Sequence, residues 1–473
     1  MRRSFLLLAA ALGTACPGPG SRASQQGAAP RPVAAGNRLN VLLVTVDTLR
    51  ADHLGAYGYP RATSPHIDAL ARRGVLFEQA YSYWPKTRGS FVALLTGRLA
   101  SQSGYGKTHP LLVDFNPTLA SALQEAAYDT VAVVDNPNVA SSLGYAKGFT
   151  RYRETWEELA LATEMDRTRA ITADGVAYLR QAKPERPFLL WLHYVNPHAP
   201  YEPPPPWDTA FLDAAAARGP VLPQVAGFHG GVPRQWAKPG RTLGFYVAQY
   251  DGEIAAMDAE VGRVLAALEA SSVRERTLVV LSSDHGESLG EHDYFFDHGE
   301  NLFDPSMRVP LLLAGPGIEA GRRCAELATT LDLVPTLLDA LKVSYPPDLA
   351  GVSLLGAARG ELLARARLPG QNDRNLLGVW GRRFKLVATP GEGGSRYALF
   401  DRLQDPGETR DAGRTNAAAL RDERRELELF RERIDAQLVR TRRLLEGRSG
   451  EERLSAEACE KLKAMGYVQQ GCD

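Results

Sequence analysis

Short apolar runs recur along the chain, and between them lie stretches with apolar residues three and four apart. Asn40–Val46 (NVLLVTV) is nearly continuous in apolar residues. So are Val75–Ala80, the run TVAVVD ending at Asp135, FLLWLHYV from Phe188, TLVVL (Thr277–Leu281) and VPLLLAGPG from Val309. Runs this short, rich in β-branched residues and bounded by turn residues, read as strands buried on both faces. The intervening patterns IDALARRG (stopped by Gly74), TLASALQEAAY, GFYVAQYDGEIAAMDAEVGRVLAALEA and TLDLVPTLLDALKV have helical spacing, and Ser90–Leu95 adds a shorter helix. Alternating strand and helix predicts an α/β domain, a mostly parallel sheet sandwiched by helices.

Beyond about residue 355 the period changes. LLGVWGRRFKLVAT and RYALFDRLQDPGE read as antiparallel strands around the Gly-rich turn GEGGS. Ala417–Leu445 has apolar residues at helical spacing among alternating Arg and Glu, a solvated amphipathic helix. The expected organisation is a large α/β domain over residues 38–355 and a small C-terminal α+β subdomain over 356–473. Trp207–Arg241 reads as a long irregular insertion, a candidate substrate lid.

Candidate chemistry collects at strand ends, where open α/β sheets hold their ligands. Asp284 and His285 come straight off the run Thr277–Leu281, before Gly286, and His292 and His298 follow within one loop. Asp47 stands at the end of Asn40–Val46 in the same way, with Arg50 close behind. One Asp at such a place is as readily a cap or turn residue. Three histidines and several carboxylates in one loop favour a site. Thr87 lies in the turn Lys86-Thr87-Arg88-Gly89, ahead of a helix whose unpaired N–H groups, with Lys86 and Arg88, attract anions. By itself that segment makes Thr87 an N-cap. His193 and His198 lie at or past the end of the strand from Phe188.

Taken together, Asp47, Thr87, Asp284 and His285 arise on one side of the sheet and form an oxygen/nitrogen set for one divalent cation. The imidazole favours manganese or zinc over calcium or magnesium. Beside such an ion Thr87 is a candidate nucleophile. His198 and His298 are candidates to hold non-bridging oxygens or protonate a leaving group. Lys86, Arg50 and His292 are the candidate substrate contacts.

Composition narrows the partners. Among 473 residues, 55 basic side chains balance 55 acidic ones, so bulk charge excludes a nucleic-acid or anionic-membrane binder. The expected partner is a small-molecule, glycan or lipid ester. Arg2 and Arg3 precede an apolar segment, Phe5–Leu12, too short to span a bilayer, and then LGTAC. Residues 1–16 resemble a bacterial lipoprotein signal with Cys16 as the lipidated residue, simple secretory cleavage near Ala15 being the alternative. Residues 17–37, rich in Pro, Gly, Ser, Ala and Gln, read as a flexible tether. The expectation is export to the periplasm or cell envelope, with membrane contact only through a lipid on Cys16. Of the other cysteines, Cys459 and Cys472 are a candidate disulfide, and no C-x-x-C spacing suggests zinc.

In order along the chain, VDTLRADHLGAYGY, SFVALLTGR, HYVNPHAPY, SDHGESLGEH and RVPLLLAGPG resemble the sulfatase family of the alkaline phosphatase superfamily. The likeness runs from Asn40 to about Asp411, includes LDLVPTLLDAL and DRLQDPGE, and extends to the closing LSAEACEKLKAMGYV. It implies an alkaline-phosphatase-like fold with a sulfatase-type catalytic domain, and ester hydrolysis or transfer. The departures are specific. Sulfatases carry C-x-P-S-R ahead of L-T-G and oxidise the Cys or Ser to formylglycine. Counting back from Leu95-Thr96-Gly97, that position is Thr87, with Gly89 for the Pro and Phe91 for the Arg, so no formylglycine is expected. The family's phosphoglycerol and phosphoethanolamine transferases keep an unmodified threonine, and Asp47, Thr87, Asp284 and His285 match their metal and nucleophile positions. Thr48 replaces the second Asp of the sulfatase pair, and Glu300 the usual Lys after His-Gly. A threonine ester must be attacked by water or an alcohol, chemistry commoner for phosphoryl groups, so phosphate esters are expected ahead of sulfate esters. The same departures allow a non-catalytic binding protein, against which the intact metal quartet argues.

Overall fold

The computed structural model describes residues 38–446, apart from 108, 159–162, 215 and 346–347. The signal segment with Cys16, the tether, Cys459 and Cys472 lie outside the described residues. Among the described residues no helix is long and apolar enough to cross a membrane, and Cys324 is buried with a free thiol.

Eight strands form one sheet in the order Arg322–Thr329, Gly74–Tyr81, Leu311–Ala314, Thr277–Ser283, Asn40–Val46, Phe188–Tyr194, Asp129–Val134, Arg151–Glu154. Leu311–Ala314 is antiparallel to both neighbours, and every other pairing is parallel. The two edge strands escaped the apolar pattern because they present Arg and Glu side chains, as unpaired edges commonly do.

The central strand shows why these runs are apolar throughout. Val41 and Leu43 face one core, with Phe91, Leu94 and Leu95 of the helix Thr87–Thr96 and Leu337 of Leu333–Leu341. Leu42, Val44 and Val46 face the other, with Ile171 of Glu164–Gln181 and Tyr250, Ile254 and Val261 of Leu243–Glu269. With both faces covered there is no solvent side to place polar residues on. Each buried Val or Leu contributes about 1.5–3 kcal/mol of transfer free energy.

Register then sets the site. Val46 lies opposite Ser283 and Tyr194, so Asp47 and Asp284 leave the sheet side by side at the carboxyl ends of adjacent parallel strands.

The C-terminal sheet is an antiparallel meander, Leu368–Gln371, Leu377–Trp380, Phe384–Thr389 and Arg396–Asp401, with GEGGS joining the last two strands. The helix Ala417–Leu445 packs on it through Leu427. Buried Lys385 ties this sheet to the segment after the histidine loop, 3.0 Å from Asp304 and 2.5 Å from Glu408. The insertion contains a short helix, Trp207–Ala210, and two two-residue strands. Its tip docks on the histidine loop: Phe295 N donates to Phe228 O at 2.7 Å, and His229 lies 3.1 Å from Glu300.

Candidate active site

Three of the four expected metal ligands meet directly. One ligand atom each from Asp47, Asp284 and His285 lies within 4.8 Å of the other two, and all three residues are fully buried. Asp284 Oδ1 accepts from His285 N at 2.9 Å and from Thr48 N at 3.4 Å, and Asn136 Nδ2 donates to Asp47 Oδ2. The remaining oxygens, Asp47 Oδ1 and Asp284 Oδ2, have no hydrogen-bond partner. They lie 3.6 and 3.4 Å from His285 Nε2. Because His285 Nδ1 donates to Gly286 O at 2.9 Å, its Nε2 carries the lone pair. Two orphaned carboxylate oxygens and an imidazole lone pair converging in a dry pocket are the donor set a divalent cation requires.

Electrostatics say the same. Burial, then the neighbouring Asp284, holds Asp47 well above the ordinary carboxylate range, and burial raises Asp284 as well. Burial depresses His285 to about 3, so the ring is a neutral ligand.

Thr87 completes the quartet. Its hydroxyl donates to His285 Nε2 at 3.2 Å. It is the first residue of the helix Thr87–Thr96, which begins three residues earlier than the apolar pattern predicts, and Lys86 occupies the cap position in its place. Ser90, one turn on, donates from Oγ to the Asp284 carbonyl at 2.6 Å and pins this helix to the strand end that carries Asp284 and His285.

His198 and His298 join the site. The His298 ring centroid is 4.1 Å from that of His285 and 5.3 Å from that of His198. His198 Nδ1 donates to Ala199 O at 2.6 Å. Burial lowers His198 to about 4 and takes His298 well below its usual value. Lys86 is exposed beside them, its stem packed on Gly299. Gly299 has φ +96°, a conformation that favours glycine, and its missing Cβ leaves room for the Lys86 stem.

Two expected substrate contacts are placed otherwise. Every guanidinium nitrogen of Arg50 is engaged: Nε with Asp52 at 2.9 Å, Nη2 with Asp52 at 2.7 Å, and Nη1 with Glu291 at 2.7 Å and Glu287 O at 3.1 Å. Arg50 is thus a buried bracket between two loops. His292 adopts φ +56° and stacks on Phe303 with centroids 3.6 Å apart, packing against the histidine loop's own exit. One face of its ring is covered by that stack. His193 is a core residue, paired with Thr45 Oγ1 at 3.0 Å and edge-on to Phe91.

Sequence reasoning gave no role to Asn136, Ser90 or Glu287. Asn136 and Ser90 carry no signal beyond lying past a strand end and inside a helix. Glu287 stands two residues after His285 in a loop already rich in acids, and only the fold shows that it is fully buried beside His298.

Comparison with known proteins follows these features. Residues 39–343 match the family described as Sulfatase, and residues 290–428 the one described as N-sulphoglucosamine sulphohydrolase, C-terminal. The Delta 4,5-hexuronate-2-O-sulfatase of Bacteroides thetaiotaomicron is 27% identical over 416 residues, covering 79% of this chain and 84% of that one. The structure of a 2-O GAG sulfatase superposes with a TM-score of 0.69 at 24% identity, over 84% of this chain and 93% of that one. The phosphonate monoester hydrolase of Agrobacterium radiobacter superposes with a TM-score of 0.70 at 22% identity, over 84% and 96%. The first match runs from the strand that ends in Asp47 through the loop that carries His298, and so the chain belongs to the sulfatase family and is an ester hydrolase on the alkaline-phosphatase-like fold.

Proposed function

We propose that the protein is a metal-dependent hydrolase or transferase of phosphate esters that works through a covalent ester on Thr87. The observation that carries this reading is the Thr87 hydroxyl, 3.2 Å from His285 Nε2, at the edge of a pocket whose two carboxylate oxygens have no other partner. An unmodified hydroxyl placed there needs no conversion to formylglycine. When bound by Asp47, Asp284, His285 and Thr87, a divalent cation would lower the hydroxyl's pKa and polarise the ester oxygen, manganese or zinc suiting the imidazole.

The chain's own groups do the rest. The first-turn N–H groups of the Thr87 helix and the Lys86 ammonium attract the ester's anionic oxygens. His198 and His298 flank the pocket; His298 supplies the proton to the leaving alcohol, while His198, whose hydrogen is engaged with Ala199 O, packs beside it. Thr87 Oγ1, its proton released to solvent, attacks the central atom; the leaving oxygen departs with the bond's electron pair and takes the proton from His298, and water or an acceptor alcohol, giving up its own proton, then displaces Thr87. Export to the bacterial envelope, with Cys16 lipidated, belongs to the same proposal and rests on the N-terminal sequence alone.

Sulfate ester hydrolysis is the second reading, favoured by a relative that is a hexuronate-2-O-sulfatase. The fold does not choose, since its neighbours include both a sulfatase and a phosphonate monoester hydrolase. Matched aryl phosphate diester and aryl sulfate, assayed before and after chelation and with manganese or zinc restored, decide it. The expected outcome is metal-dependent turnover of the phosphate diester ahead of the sulfate, with an added mass on the Thr87 peptide. Sulfate release that persists in Thr87→Ala would overturn both the ester ranking and the nucleophile. Neither bound metal nor adduct would identify a binding protein.

A further inference from the structure

Glu287 is fully buried, outside the metal quartet, and so far without a part in the reaction. Its Oε1 lies 3.0 Å from His298 Nδ1. Its backbone carbonyl accepts from Arg50 Nη1 at 3.1 Å. The His298 ring is tilted by 37° against that of His285 and steeply inclined, at 72°, to that of His198. A carboxyl group is costly to bury, and an amide or an apolar side chain would fill the space more cheaply. What a carboxyl group does here is bind one named nitrogen of an imidazole, fixing both the ring's orientation and which nitrogen is left for chemistry.

We propose that Glu287 is the positioning residue for His298, directing His298 Nε2 at the leaving oxygen; this rests on the reading of His298 as the leaving-group acid. One hydrogen stays in the Oε1–Nδ1 contact throughout, on Glu287 Oε1 while the neutral ring carries its own hydrogen on Nε2. When the ester bond breaks, its electron pair goes to the leaving oxygen, which takes the hydrogen from Nε2. The hydrogen in the contact then sits on Nδ1, the tautomer in which Nε2 is bare, and Nε2 can later accept a proton from the attacking water or alcohol. Arg50, read from sequence as a substrate ligand, acts one step further back by holding the Glu287 backbone.

The test uses the full chain and two leaving groups of different need. Matched 4-nitrophenyl and phenyl esters, as methyl phosphate diesters and as sulfates, are assayed with Glu287→Gln, Glu287→Asp, His298→Ala and the Glu287→Gln/His298→Ala double variant. A good leaving group departs without a proton, whereas phenoxide needs one, and general acid catalysis contributes typically about 10²–10⁴-fold. Glu287→Gln should therefore lower kcat on the phenyl ester by on the order of 10²-fold and on the 4-nitrophenyl ester only a few-fold, with KM unchanged. The double variant should be no slower than His298→Ala alone, because Glu287 acts through that ring. Glu287→Asp keeps the carboxyl group and should recover part of the phenyl-ester rate, which also settles the matter if the Gln variant fails to fold. Equal losses on both leaving groups, or a double variant slower than His298→Ala, would overturn the assignment. If His298→Ala itself shows no leaving-group dependence, the parent reading of His298 falls first, and this one with it.

Discussion

Replacing Asp284 by Asn should make the metal-free protein more stable while removing its response to metal. Asp47 and Asp284 are both fully buried, and their facing oxygens belong to a set of atoms all within 4.8 Å of one another. Two full charges at such a separation repel by on the order of 3 kcal/mol at an effective dielectric of about 20. The pair avoids part of that cost by keeping a proton: burial raises both acids, and the neighbouring Asp284 raises Asp47 further. Asparagine preserves what the carboxylate does locally. Its carbonyl still accepts from His285 N and Thr48 N, and its amide faces the unpartnered Asp47 Oδ1. The expected gain is ~1–3 kcal/mol, or about 1–3 °C in Tm for a chain of this size.

The gain has a pH signature of definite sign. An acid whose folded pKa is raised binds more protons folded than unfolded, so the wild type loses stability as pH rises from the ordinary carboxylate range through the raised folded value. The difference between variant and wild type should thus be small at pH 4 and largest at neutral pH. Scanning calorimetry after exhaustive chelation, at several pH values, measures it. Adding metal to 100 times its Kd should stabilise the wild type by about 2.7 kcal/mol and leave Asp284→Asn almost unmoved. A metal-free Asp284→Asn protein that melts below metal-free wild type at neutral pH would refute the claim that the two carboxylates are held together against their repulsion.

Two further outcomes probe features away from the metal. Lys385→Met leaves Asp304 and Glu408 facing each other without their buried cation and should cost about 3–5 kcal/mol in chemical denaturation, partly recovered by adding Glu408→Gln. Arg50→Lys cannot reproduce the paired contacts to Asp52 or reach both Glu291 and the Glu287 carbonyl. It should lower Tm by several degrees and leave KM within about twofold; a large rise in KM with an unchanged Tm would restore Arg50 as a substrate contact.

Much was legible from the residues alone. The apolar run of Asn40–Val46 declares a doubly covered strand because every side chain must enter a core, and Asp47 at its end is then forced to the sheet's ligand edge. The same reasoning places Asp284 and His285, and the resemblance of the motifs assigns the family. Side-chain destinations were not legible. Arg50 and Lys86 look alike as candidate anion binders in the sequence, yet one is consumed by Asp52, Glu291 and a carbonyl while the other lies exposed on Gly299. Glu287 and Glu291 are four apart in one loop, and only the packed structure sends the first against His298 and the second against Arg50. Periodicity along a chain reports which face of an element is buried, so local pattern determined the elements and the sheet edge. Which charged group meets which depends on strand register and loop packing between residues as much as 250 positions apart, and that only the tertiary structure decided.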